Sequence, residues 1–310
     1  MEHEFNPTFN GFMSIVWCLL LSAFYLASLH VWNSPFNRDH PSTIKQRFIS
    51  CIIMLFIAPC FLYIGLDKSI LNQATFLEVL GLRVKGLLPA IVIPLLLTMV
   101  LFLGPMFMEF FSGTCHRYAE VSGWLPNLTN LMWIRNRIVA PLSEEFTYRS
   151  CMMPLLLQCL PPMTAVLINP LFFGICKTLQ AKEIVILTGS ILAHLHHIHE
   201  RIKYDMNCKE ALLISGFQFS YTTIFGAYSA YLFYRTGHYA SVFVVHAFCN
   251  HMGFPNITEI PKYPTGKKII VCCLFVLGFV SWCFLITPLT KPSWYHNSPK
   301  YARDSLAVNE

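Results

Sequence analysis

Long runs without a charged side chain alternate along this chain with short charged clusters. Residues 5–37 carry no Asp, Glu, Lys or Arg, and 12–32 is their apolar centre. Further uncharged apolar runs lie at 48–66, 86–108, 150–176, 211–234, 236–258 and 269–290. A bilayer core takes about 20 apolar residues of helix, so each run is long enough to span it. An amphipathic stretch around 133–149 brings the expectation to about eight membrane helices. A shorter run, 184–199, is apolar at first and then histidine-rich. Helices are expected rather than strands. Lipid offers no water to open backbone groups, and runs such as Ile91-Val92-Ile93-Pro94-Leu95 lack the alternation of a membrane barrel.

Composition strengthens this pattern. The 310 residues are 55% hydrophobic and 12% charged, about half the charge of a soluble globular domain. Mean hydropathy is +0.52. Disorder is excluded by the apolar content. The net charge of +6 comes from 22 basic residues spread thinly over the whole chain, which argues against nucleic acid as a partner. The expected fold is an all-α polytopic membrane bundle in one domain over 1–290, with 291–310 as a polar tail. Glu2 and Glu4, with no Lys or Arg, precede the first apolar run, which therefore reads as a retained membrane helix rather than a secretory signal. Lys and Arg occur in most loops, so charge does not set an orientation. Cysteines such as Cys18, Cys51, Cys60, Cys151, Cys159, Cys272, Cys273 and Cys283 fall in or beside apolar runs and read as small buried hydrophobes.

Ionisable groups inside apolar runs are costly unless paired or wetted, so they mark candidate chemistry. The segment 140–149 holds Ser143-Glu144-Glu145 and Arg149. On a helix Glu145 and Arg149 form an i,i+4 pair, and Glu144 points about 100° away, free for other work. Ser143 is placed to cap a helix start; the competing reading of the whole cluster is an interfacial salt bridge. His194, His196, His197 and His199 fall within six residues. They suit metal binding or acid/base work, or else a surface tract. His246 and Asn250 share a helix face and could line an oxyanion site or make an interhelical hydrogen bond. Arg235-Thr236-Gly237-His238 reads as an interfacial boundary. Together these groups suit water activation: a glutamate takes the proton, a histidine holds the water and neutral donors stabilise the tetrahedral anion.

The Glu-Glu-x-x-x-Arg at 144–149, the histidines from His194 and the His-x-x-x-Asn at 246–250 occur in this order in one family. The sequence resembles the Ras-converting CAAX prenyl proteases, within the wider ABI family of membrane glutamate proteases. Phe217 to Thr222, Phe225 to Tyr228 and Arg235 to His238 support the resemblance, whose motif core spans 133–255. It implies an eight-helix protein of the endoplasmic reticulum with its site facing the cytosol. The activity it implies is removal of the last three residues from farnesylated or geranylgeranylated CAAX proteins, with the bilayer as the other partner. It implies Glu144 and His194 as catalytic groups and His246 and Asn250 as the oxyanion pair. Glu145, Arg149 and His197 are implied as supporting residues, with no metal or other cofactor. Arg149 has a second reading, as a fork for the substrate's terminal carboxylate.

One departure from the family pattern stands out. The family's second motif has a phenylalanine four positions before its histidine. Here Phe172-Phe173-Gly174 begins it, and the histidines resume only at Ala193-His194. Residues 175–192 stand where one residue is expected, and they include Lys177, Lys182 and Glu183. As helix the excess would add about 26 Å, enough to displace His194. Cys176-Lys177 and Leu192-Ala193 permit codons with splice-donor and splice-acceptor letters, so the segment is compatible with a retained intron that impairs this form. Two other functions compete. A membrane di-iron lipid desaturase or hydroxylase would use the histidine boxes, though they are too few before His194. A non-enzymatic membrane protein would tolerate replacement of Glu144 and His194. A zinc protease is disfavoured because His-Glu-x-x-His is absent.

Overall fold

A computed structural model describes residues 7–113, 128–178 and 208–298. Every regular element among them is helical. Helix α1 runs Pro7–His30 and α2 runs Pro41–Gly65. Pro41 opens α2 where its missing N–H costs nothing, and His40 caps it by accepting from the Ser42 amide at 3.3 Å. Two short helices, α3 (Lys68–Leu71) and α4 (Phe76–Val79), follow. The second is closed by a capping box between Thr75 and Glu78.

Helices α5 (Leu87–Leu101) and α6 (Leu103–Phe111) meet at a bend of 70°. The cause lies in Gly104-Pro105. Pro105 has no N–H to offer the carbonyl of Leu101, and Gly104 leaves room for the Phe275 ring, which a Cβ would strike. The single apolar run 86–108 is thus a broken pair rather than one straight rod.

The run expected at 150–176 divides differently from its hydropathy. One continuous helix, α7, comprises Leu131–Ile134, Arg135–Val139, Ala140–Glu145, Phe146–Met152 and Met153–Leu157. It takes in the amphipathic stretch and the first part of that run, then stops before Pro161-Pro162. Helix α8 is Pro162–Thr178. Helix α9 (Cys208–Thr236), α10 (Tyr239–Met252) and α11 (Thr265–Leu289) complete the set. Gly253, at φ 67°, ends α10 before the run 236–258 is used up.

Among the described residues three helical stretches are long and apolar enough to cross a membrane: Gly11–His30, Pro41–Gly65 and Thr265–Leu289. The bent pair α5–α6 makes a fourth if it counts as one span. Their outward faces carry large apolar side chains, among them Phe24, Phe56, Leu88, Phe110 and Phe284. A surface of that kind has lipid as its solvent. Cys60, Cys272, Cys273 and Cys283 belong to this outer face and are exposed, contrary to the expectation of burial; Cys18, Cys51 and Cys151 are buried. The core draws on α1, α2, α7, α8, α9 and α10, and α7 runs through it. Tyr148, Cys151, Met152, Met153, Leu155 and Leu156 on α7 are all fully buried.

The α9–α10 turn is held by a separate polar knot. Gly237 adopts φ 62° there. Arg83 donates to Asn297 Oδ1 and the His296 carbonyl, Asn297 donates to the carbonyls of Tyr234 and Arg235, and Arg235 donates to Thr290 and Thr287. Residues 235–238, expected as an interfacial boundary, belong to this clasp.

Candidate active site

Helix α7 contains two π-type stretches, Arg135–Val139 and Phe146–Met152, flanking the turn that bears the glutamates. Such stretches cluster at functional positions because they shift backbone carbonyls out of register. The first has a readable cause. The Ala140 amide donates five residues back, to the Arg135 carbonyl. The next donor in that register would be Pro141, which has none. The Asn136 carbonyl is left over, and Asn250 Nδ2 donates to it at 2.8 Å. A proline in α7 thereby creates an anchor point for α10.

Glu145 is fully buried. Arg149 Nη1 donates to its Oε1 at 3.2 Å, as the i,i+4 spacing predicts. His246 Nδ1 reaches the same oxygen at 2.6 Å, and Ser229 Oγ donates to Oε2 at 2.6 Å. Arg149 Nη2 donates to the Gly226 carbonyl at 3.1 Å. The close approach of α8 and α9 requires Gly226: a Cβ there would lie 2.6 Å from Pro170 Cβ and 3.2 Å from Arg149 Nη2. A buried carboxylate with one cation and two further donors is compensated. Its oxygens are committed to holding α7, α9 and α10 together.

Glu144, one residue earlier, is in a different position. Its side chain is 21% exposed, and its Oε2 lies 3.9 Å from His246 Nε2. With Nδ1 turned to Glu145, the ring presents Nε2 to Glu144. Phe225 packs edge-on against the imidazole at a centroid distance of 4.9 Å and fixes its plane. Glu144 and His246 therefore face a common point that a small polar molecule can reach. About 2.8 Å hydrogen bonds to both atoms are geometrically compatible with a 3.9 Å separation.

Two expectations need correction. Ser143 does not cap a helix start, because α7 runs through it; its hydroxyl bonds back to the Val139 carbonyl at 3.0 Å and pairs with Tyr25 at 3.0 Å. Arg149 is 2% exposed beneath Glu145, so it cannot serve as a fork for an incoming carboxylate. Asn250 faces α7 as His246 does, but with its amide on Asn136 rather than beside the imidazole. His194 and His197 lie outside the described residues, as does 179–192 of the inserted stretch. Ser229 and the carbonyls of Asn136 and Gly226 escaped the sequence reading. Only the small-residue pattern of Gly226-Ala227-Tyr228-Ser229-Ala230 hints at close packing. Among the described residues no three His, Cys, Asp or Glu side chains gather in a way that could hold a metal ion.

Comparisons with known proteins cover the segment that holds these residues. The family model for type II CAAX prenyl endopeptidases, Rce1-like, matches residues 126–252, which take in both glutamates, His246 and Asn250. A human protein named CAAX prenyl protease 2 is 36% identical over 302 residues, covering 95% of this chain and 86% of its own length. Proteins of the same name from Arabidopsis thaliana and Rattus norvegicus are 31% and 30% identical, over 92% and 95% of this chain. No solved structure matches. The chain belongs to the Rce1-like family of type II CAAX prenyl endopeptidases.

Proposed function

We propose that this chain is a membrane endopeptidase that removes the C-terminal tripeptide from farnesylated or geranylgeranylated CAAX proteins, using water activated by Glu144. The observation that carries the mechanism is the division of labour between the glutamates. Both oxygens of Glu145 are engaged, by Arg149, His246 and Ser229, whereas Glu144 is partly exposed and faces His246 Nε2 at 3.9 Å. Glu144 takes a proton from water as the hydroxide attacks the carbonyl carbon of the prenylated cysteine. The C–N bond then breaks, and Glu144 returns the proton to the leaving amine. Glu145 holds the proton on His246 Nδ1, as a buried carboxylate does for a catalytic imidazole. That leaves Nε2 directed at the reacting centre. His194 positions the water together with Glu144, and His197 supports it. Asn250 donates to the tetrahedral anion, as does His246 once Nε2 carries a proton as well as Nδ1, and Arg149 keeps Glu145 ionised. No metal takes part.

The wider reading has 1–290 as one domain of about eight membrane helices, 291–310 as a tail, and residence in the endoplasmic reticulum with the site open to the cytosol. It draws support from the apolar outer faces of the long helices and from the family resemblance. The test is cleavage of a farnesylated CAAX peptide by membranes carrying the chain. Glu144→Ala or His194→Ala abolishes cleavage while the protein still inserts; substantial residual cleavage by either purified variant refutes the assignment.

A further inference from the structure

A protease that counts three residues from a chain end must sense that end. Arg149 is sealed under Glu145. A second arginine on the same helix is not sealed. Arg137 lies on the side of α7 that meets α10, where its Nη2 makes only a long contact of 3.4 Å to the His251 carbonyl. Its guanidinium rests over the Trp133 ring at 5.4 Å. Its Nε is buried and has no hydrogen-bond partner. It forms no ion pair among the described residues, and Glu109 on α6 feels it only through space. That Nε is out of a ligand's reach, but the residue is only half-buried and its Nη groups hold no carboxylate, so its charge awaits an acceptor. Arg149 Nε is also without a partner, but no peptide can reach it past Glu145.

The spacing matches the reaction. From Glu144 back to Arg137 is seven residues, about 10 Å along a helix axis. Three residues of extended peptide also cover about 10 Å. The two positions line the same interface: α10 runs antiparallel to α7, with His246 at the glutamates, Asn250 at Asn136 and the His251 carbonyl at Arg137. Asn250, one turn beyond His246 on α10, is exposed, so this end of the interface is open to a ligand. We infer that Arg137 binds the α-carboxylate of the substrate's last residue and so sets the cut at three residues from the end. A planar guanidinium pinned over an indole ring is suited to forked carboxylate recognition.

This inference rests on the proposed endopeptidase activity, and the test separates the two. Purified wild type, Arg137→Gln and Arg137→Lys are assayed on a farnesylated CAAX peptide with a free C-terminus and on its C-terminal amide. Wild type prefers the free acid by about 10- to 100-fold in kcat/KM, the range of one charge-assisted hydrogen bond pair. In Arg137→Gln that acid-to-amide ratio collapses towards one, with the loss in KM for the acid; Arg137→Lys keeps an intermediate ratio. Wild type that cuts acid and amide equally well overturns the inference without any variant. So does an Arg137→Gln enzyme that retains the wild-type ratio. A wild type that cuts neither peptide defeats the endopeptidase reading instead.

Discussion

Replacing Glu145 with glutamine keeps the side-chain volume and removes one charge at the centre of the bundle. Three donors converge on the carboxylate: Arg149 at 3.2 Å, His246 at 2.6 Å and Ser229 at 2.6 Å. The amide can accept on one end only, and its NH2 end then faces a donor. Arg149, 2% exposed, loses its only counterion among the described residues. Leaving a buried charge uncompensated costs about 3–5 kcal/mol, roughly 10² to 10⁴ in the unfolding equilibrium. Arg149→Met alone exposes the converse problem and costs a similar amount. The double variant Glu145→Gln/Arg149→Met removes both charges, so its cost falls short of the sum by about 1–3 kcal/mol. The assay is denaturant unfolding in mixed micelles for wild type, both single variants and the double. The double variant regains stability yet stays inactive, because His246 has lost its carboxylate. Additive single-variant costs would show that the pair is not coupled and would refute the reasoning.

Other outcomes follow from the same contacts. Gly226→Ala drives a Cβ against Pro170 at 2.6 Å and costs about 1–3 kcal/mol by overpacking, read by the same unfolding assay. Asn250→Ala frees one carbonyl on α7 and costs about 1 kcal/mol of stability, but lowers kcat by about 10²–10³ if Asn250 donates to the oxyanion; equal small losses in both would remove it from the site. Asp39, outside the membrane helices, accepts from Arg135 at 2.8 Å, and that bond holds its carboxyl below the usual range. Its folded-state value is depressed, so its contribution is present above the unfolded value of about 3.9 and is lost as pH falls through the lower folded value; Asp39→Asn flattens the acid limb of the stability profile. Removing all but one residue of 175–192 raises cleavage if that segment displaces His194; unchanged activity shows that it does not.

Much of the helix content was legible because lipid imposes a simple rule: uncharged length predicts helix. The rule fails where backbone chemistry overrides hydropathy. Pro161-Pro162 splits an apolar run, Gly104-Pro105 bends another, and Gly253 cuts a third short. At the site, the Glu145–Arg149 pair could be read from i,i+4 spacing, since both partners lie on one helix. Ser229 could not, because its role depends on α9 lying within hydrogen-bonding reach of α7 at that height, which no local pattern encodes. The idle Nε of Arg137 likewise emerges only when the neighbours are in place.

The π-type turn at Arg135–Val139 also constrains how this helix can change over evolutionary time. A π turn holds one more residue than the α turn it replaces. Deleting one residue from it would restore ordinary winding and leave the segments on either side in nearly their present phase. The same deletion from an ordinary α turn of this helix would rotate the preceding segment by about 100° relative to the glutamates. What the deletion in the π turn would cost is local: the spare Asn136 carbonyl that Asn250 holds, and the contact of Arg137 with the His251 carbonyl. The π turn is therefore the place where this helix can change length with least rotation of the segment before it.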